Sequence, residues 1–145
     1  MADTGRSASP KPLLAAIPRS PFDEYIGTEW LDLGPEEASA RIAVKGHHKQ
    51  PMGLVHGGVL ATLGESICSV ATYRAVAGDG MTIVGQSSAI TFLRSVTDGC
   101  VTAVARPQHR GRTTWVWDVE IRDEAERVCA LVRVTVAVRP ERRDA

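Results

Sequence analysis

Residues 53–73, GLVHGGVLATLGESICSVATY, place a histidine and two glycines directly ahead of a run whose apolar residues recur at helical spacing. At 100° per residue, Val59, Leu60, Leu63, Ile67, Val70 and Ala71 fall within about 120° of one another, the pattern of a long amphipathic helix. That stripe is expected to pack on a sheet. Glu65 falls opposite its centre, flanked by Ala61, Thr62, Cys68, Ser69 and Thr72. A lone acid there is either a solvated surface charge or a reacting group. The flank favours neither outright, but its small residues and hydroxyls would let another chain or a ligand approach closely.

On either side of this helix the chain alternates with period two. Glu29–Leu33 is a short strand candidate ended by Gly34-Pro35, and Ala38–Lys45 puts Ala40, Ile42 and Val44 on one side. A polar loop, GHHKQPMG, leads into the helix, and GDG at 78–80 closes it. Four further strands are expected at Thr82–Leu93, Cys100–Arg106, Thr113–Arg122 and Arg127–Val138. In the third of these Trp115, Trp117, Val119 and Ile121 share a face. In the last, Val132, Val134, Val136 and Val138 do the same. Turns at Asp98-Gly99 and Asp123-Glu124 make antiparallel hairpins the natural links. One apolar helix and five to six long strands imply an α+β domain, with a curved antiparallel sheet wrapped around the helix. The exposed sheet edges predict self-association.

Composition narrows the function. The 17 basic and 17 acidic residues balance, so no basic field attracts nucleic acid. No apolar run approaches the roughly 20 residues that span a bilayer, so no membrane segment is expected. Residues 1–20 are expected to be a disordered lead without an apolar h-region, and residues 21–142 a single cytoplasmic domain. The three cysteines are widely spaced with no CxxC, which reads as reduced thiols rather than a disulfide framework or a zinc site. His47, His48, His56 and His109 lack HxH or HExxH spacing, so no metal is expected. A Ser-His-Asp triad fails for want of a GxSxG elbow.

At the helix entrance, Gly57 and Gly58 leave backbone N–H groups free of side-chain cover at the positive end of the helix dipole. Such donors can polarise a carbonyl and hold an oxyanion, although two glycines also suit a tight turn. Gly57 and Glu65 are eight residues apart, about 12 Å at 1.5 Å per residue. One helix therefore cannot bring both to a single carbonyl. If both act, they come from two antiparallel helices in a dimer holding two sites.

These residues resemble the hotdog-fold acyl-CoA thioesterases, in the branch of the 4-hydroxybenzoyl-CoA, 1,4-dihydroxy-2-naphthoyl-CoA and phenylacetate-pathway enzymes. The likeness covers roughly residues 22–142. It is carried by HHKQPMGLVHGGVLATLGES, with a Gln six residues before the His and a carboxylate nine after it, and by TIVGQSSAITFLRSV and PQHRGRTTWVWDVEIRDE. It implies the hotdog fold, homodimers that pair into homotetramers, and hydrolysis of an acyl-CoA with no cofactor beyond the coenzyme A of the substrate itself. It also implies that the Gly57 N–H polarises the thioester carbonyl and that Glu65 is nucleophile or general base. Gln50 and His56 would set the carbonyl and the loop, and Ser69 would hold the hydrolytic water. A glutamate where many relatives carry aspartate resembles the 4-hydroxybenzoyl and dihydroxynaphthoyl members.

For the substrate's ends, Arg94, Arg112 with Thr113, and Arg142 stand where related enzymes contact the nucleotide, though each also reads as ordinary surface charge. Asp23, in PFDEYIG, matches an acid that accepts a phenolic hydroxyl, which would imply a hydroxyaryl group; a turn or cap aspartate is the competing reading. Two other functions remain open at this level. A hotdog hydratase or dehydratase would use a catalytic His with an acid, and a non-catalytic acyl-CoA-binding module would be favoured by a missing carboxylate. Acyl carrier protein also stays open as the carrier.

Overall fold

This computed structural model describes residues 20–142. Along them run α1 (Pro21–Ile26), β1 (Glu29–Leu33), β2 (Ala38–Ala43), α2 (Gly57–Val76), β3 (Met81–Phe92), β4 (Cys100–Arg110), β5 (Thr114–Arg122) and β6 (Val128–Pro140). The strands form one antiparallel sheet in the order β1-β2-β4-β5-β6-β3. The α+β hotdog architecture follows from the sequence alternation: β5 and β6 bury Trp117, Val119, Ile121, Val132, Val134 and Val136 against α2. The expected disordered lead falls outside the described residues except for Ser20, which caps α1.

α1 is an element that the alternation did not reveal. Ser20 caps it through its side-chain oxygen, Pro21 occupies its first turn, and Asp23 and Glu24 sit at the positive end of its dipole. Gly27, with φ of 73°, ends it in the left-handed region that suits glycine.

The buried face of α2 is rotated from the expected stripe. Leu60, Leu63, Gly64, Ile67, Cys68, Ala71, Thr72 and Val76 are buried, while Val59 and Val70 are only partly so. Cys68 and Thr72 therefore belong to the core and not to the flank around Glu65. The reason lies across the molecule: the Trp117 indole N–H donates to Thr72 Oγ1 at 2.9 Å, and Thr72 Oγ1 donates to the Cys68 carbonyl at 2.7 Å. A buried indole needs an acceptor, so a hydroxyl is drawn into the core. Each of Leu60, Leu63 and Ile67 contributes about 1.5–3 kcal/mol by burial. As a consequence of the rotation Glu65 lies beside the buried face, over the sheet's margin, and is half-buried.

β3 departs from the one-buried-face pattern. It is the sheet's edge, bonded only to β6, and residues 84–89 are exposed. Val84, Phe92 and Leu93 are 59%, 53% and 57% exposed along this margin. Its ladder slips between Gly85 and Ser87, a bulge that bends the strand. No helix of the described residues is long and apolar enough to cross a membrane.

The Thr72–Trp117 bond gives a direct test. Thr72→Val leaves a buried indole N–H without an acceptor and should cost about 1–3 kcal/mol in urea unfolding. Thr72→Ser keeps the acceptor and should retain most of that stability; equal losses in the two variants would contradict the assigned bond.

Candidate active site

His56 opens α2 as its N-cap in extended conformation, and its Nδ1 accepts the Gly58 N–H at 2.8 Å. This corrects one expectation, since only the Gly57 N–H, not the pair, is left over. The Gly57 N–H has no acceptor among the described residues, as the first helical residue has no partner one turn back. With Nδ1 accepting, the proton of the neutral His56 ring resides on Nε2. A Cβ added at Gly57 would stand 2.5 Å from the tip of the exposed Phe92 ring of β3, so any side chain there must swing that ring outward.

Two clefts flank this helix start. One, of about 390 Å³, is lined by Gln50, Leu54, Gly57, Phe92 and Arg94 among others. Gln50 is turned partly inward on itself, its Oε1 accepting the Met52 N–H. The other, of about 360 Å³, lies beneath α1 and is lined by Phe22, Tyr25, His47, His56, Gly58 and Thr62 among others. Thus Gln50, His56, Gly57 and Arg94 come together around one helix terminus.

Glu65 does not join them. It sits two turns further along α2, where Ser69 Oγ donates to its Oε1 at 2.7 Å. Its carboxylate rests on the backbone of β3: a Cβ at Gly85 would lie 2.9 Å from Oε1. Gly85, against which the Glu65 carboxylate lies, is a residue that the sequence reading passed over. The signal was available, since a glycine inside the strand run TIVGQSS marks a bulge or a close approach.

Asp23 lies in the first turn of α1, where its Oδ1 accepts from Thr28 Oγ1 at 3.5 Å. Its neighbours Phe22 and Tyr25 line the cleft beneath α1, but Asp23 is not part of that lining. Arg112 and Thr113 form the exposed β4–β5 turn, and Arg142 follows β6. The Arg139 guanidinium and the Val138 N–H both bind the Thr113 carbonyl, at 3.0 and 2.9 Å, which joins the turn to the end of β6. That end of the sheet is opposite the Gly57 end, because β6 leaves and β3 enters there. A single chain therefore brings Arg94, but not Arg112, Thr113 or Arg142, to the helix start. Among the described residues no three His, Cys, Asp or Glu side chains are grouped to hold a metal.

The thioesterase superfamily pattern matches residues 52–130, which contain both α2 and its strands β3 to β5. The chain is similar to the 1,4-dihydroxy-2-naphthoyl-CoA hydrolase of Escherichia coli (strain K12), 39% identical over 114 residues, covering 79% of this chain and 83% of that one. It is 36% identical to the proofreading thioesterase EntH of Cronobacter turicensis over 115 residues, 79% of this chain and 83% of the relative. The solved structure of thioesterase HI1161 from Haemophilus influenzae superposes with a TM-score of 0.77 at 34% identity, covering 82% of each chain.

The contact between Gly85 and Glu65 can be tested by filling it. Gly85→Val should displace the carboxylate and lower thioester turnover on the order of 10- to 100-fold, with the fold retained by circular dichroism. Gly78→Ala, where an added Cβ meets nothing within 4 Å, is the control. Unchanged turnover in Gly85→Val would show that Glu65 does not depend on this surface.

Proposed function

From the premise that this chain belongs to the thioesterase superfamily and is a thioester hydrolase, we propose that it hydrolyses an aromatic acyl-CoA, in a site shared by two chains. The observation that supports this most is the separation of the two reacting groups. The free Gly57 N–H and the Ser69-bound Glu65 carboxylate lie at different points of one helix, both beside the uncovered strand β3. Antiparallel pairing of two β3 edges would set Glu65 of one chain toward Gly57 of its partner. The same pairing would carry the partner's Arg112, Thr113 and Arg142 toward the Gly57 end, where Arg94 already lies. Cations from both chains would then meet the nucleotide phosphates.

The chemistry needs little else. A thioester carbonyl is already activated, so a carboxylate with one oxyanion donor suffices. The Gly57 N–H takes the developing oxyanion. In one route Glu65 removes a proton from water as its oxygen bonds to the carbonyl carbon, and Ser69 helps hold that water. Collapse breaks the C–S bond and releases the CoA thiolate, which takes up a proton. In the other route a Glu65 oxygen itself bonds to the carbonyl carbon, expels the thiolate and leaves an anhydride that water opens. Label in the Glu65 carboxylate after a single turnover in ¹⁸O-water identifies the second route, since only an anhydride opened by water at the Glu65 carbon leaves it there.

The aromatic assignment rests on the cleft beneath α1, walled by Phe22, Tyr25 and Val59, and on the name of the E. coli relative. Asp23, on the same turn of α1 but outside that lining in the single chain, is assigned to a hydroxyl of the acyl ring on the strength of the resemblance alone. The pairing of such dimers into tetramers, and a cytoplasmic location, belong to the same proposal.

Thiol release from a panel of acyl-CoAs tests the chemistry. Glu65→Gln should lower it at least 100-fold on every substrate, since removing a reacting group or its charge costs at least as much as removing one oxyanion donor. Asp23→Ala should lose activity on 4-hydroxybenzoyl-CoA more than on benzoyl-CoA. Equal losses on the two substrates would remove Asp23 from substrate recognition.

A further inference from the structure

Three histidines precede α2, and one of them is in the core. His48 is 1% exposed, while His47 and His56 are exposed. A buried imidazole is kept only where its polar atoms are satisfied, and those of His48 are. Its Nδ1 accepts the Lys45 N–H at 2.9 Å, so in the neutral ring Nε2 carries the proton and donates to the Ile26 carbonyl at 2.9 Å. Its own carbonyl accepts the His56 N–H at 2.8 Å. One residue thus fastens three separate segments.

Each of these bonds ends at a part of the site. Ile26 is the last residue of α1, which supplies the Phe22 and Tyr25 wall of the cleft. Lys45 begins the turn that leads to Gln50. His56 caps α2 and immediately precedes Gly57. We infer that His48 is a positioning residue of the thioesterase site: its ring sets the α1 wall and the turn, and its carbonyl sets the helix start that aims the Gly57 N–H. This rests on the role proposed above for Gly57.

The bond pattern requires a neutral ring. A proton on Nδ1 would face the Lys45 N–H, donor against donor, and open the turn. The charged and titratable groups around it add no compensating acid: His47 and Lys45 share its turn, and Tyr25, Lys49 and His56 line the same cleft. Lys49 is itself paired with Asp98 at 3.1 Å. Burial, and then the neighbouring His47, hold the His48 imidazole below its ordinary range, with the bond to Ile26 opposing. The native state therefore binds this proton less readily than the unfolded chain. The stabilisation is fully present above the unfolded value of about 6.5 and is lost as pH falls below it.

Two substitutions separate the links. His48→Asn keeps an oxygen near Nδ1 for the Lys45 N–H but cannot reach Ile26. It should raise KM for an aryl-CoA on the order of tenfold, with kcat little changed, because the α1 wall is released. His48→Gln keeps a donor near Nε2 but loses the Lys45 acceptor. It should lower kcat on the order of 10- to 100-fold, and its activity should fall less steeply below pH 6.5 than that of wild type. Amide hydrogen exchange gives an activity-free readout: Gln should speed exchange at Lys45 and Asn should not.

Variants matching wild type in kcat, KM, acid limb and exchange would overturn the inference. So would equal losses in both that track the amount of folded protein alone. A wild-type protein that releases no thiol from aryl-CoAs would instead count against the aryl-CoA assignment, and the exchange measurement would still decide the role of His48.

Discussion

The rise of an α-helix is the constraint on which the site depends. At 1.5 Å per residue, the eight residues from Gly57 to Glu65 place an N–H donor and a carboxylate about 12 Å apart, too far to act on one carbonyl. Nothing in the sheet shortens that distance. Gly57 is held at one point by the ring of Phe92, and Glu65 at another by the backbone at Gly85. β3 supplies both contacts and leaves its outer edge free. On the proposed reading, a chain that separates this donor from this acid and exposes the strand beside them carries half of a shared site.

Local packing keeps that half rigid. His56 satisfies the Gly58 N–H and leaves that of Gly57 open, so the cap selects a single donor. Ser69 fixes the Glu65 carboxylate from one turn away. The Trp117 indole draws Thr72 into the core, which turns α2 until Glu65 lies over the sheet margin rather than out in solvent. The hydrogen bond that satisfies a buried indole thereby also orients the acid. The α1 segment and the turn after β2 are fastened to the same helix start through His48.

Much of this was legible in the sequence. The Gly34-Pro35 turn bounded β1 at Glu29–Leu33, and period-two alternation put the inward faces of β5 and β6 where they are, because long strands with one buried face leave a strong pattern. The helix was placed with equal clarity, but its face was not. Cys68 and Thr72 are small residues that read as flank, and their burial is decided by Trp117, 45 positions away from Thr72. α1 was missed although Ser20, Pro21 and the following acids are start signals, since a single turn is too short to show periodicity. Gly57, Glu65 and Ser69 were singled out from spacing and resemblance, and a hydrogen bond joins the last two. Gly85 and His48 were not singled out as part of the site, because a glycine in a strand and a histidine in a polar loop become informative only when their neighbours are known.

The most direct test of the two-chain site is complementation between chains. Glu65→Gln removes the acid, and Gly57→Pro removes the N–H at a position where proline suits the first turn and His56 already has an extended ψ of 132°. Each variant alone should be nearly inactive on aryl-CoA. Refolded together in equal amounts, they should regain about a quarter of wild-type turnover, because half of the dimers are mixed and each mixed dimer holds one intact site. A mixture no more active than the average of its two components would contradict the account.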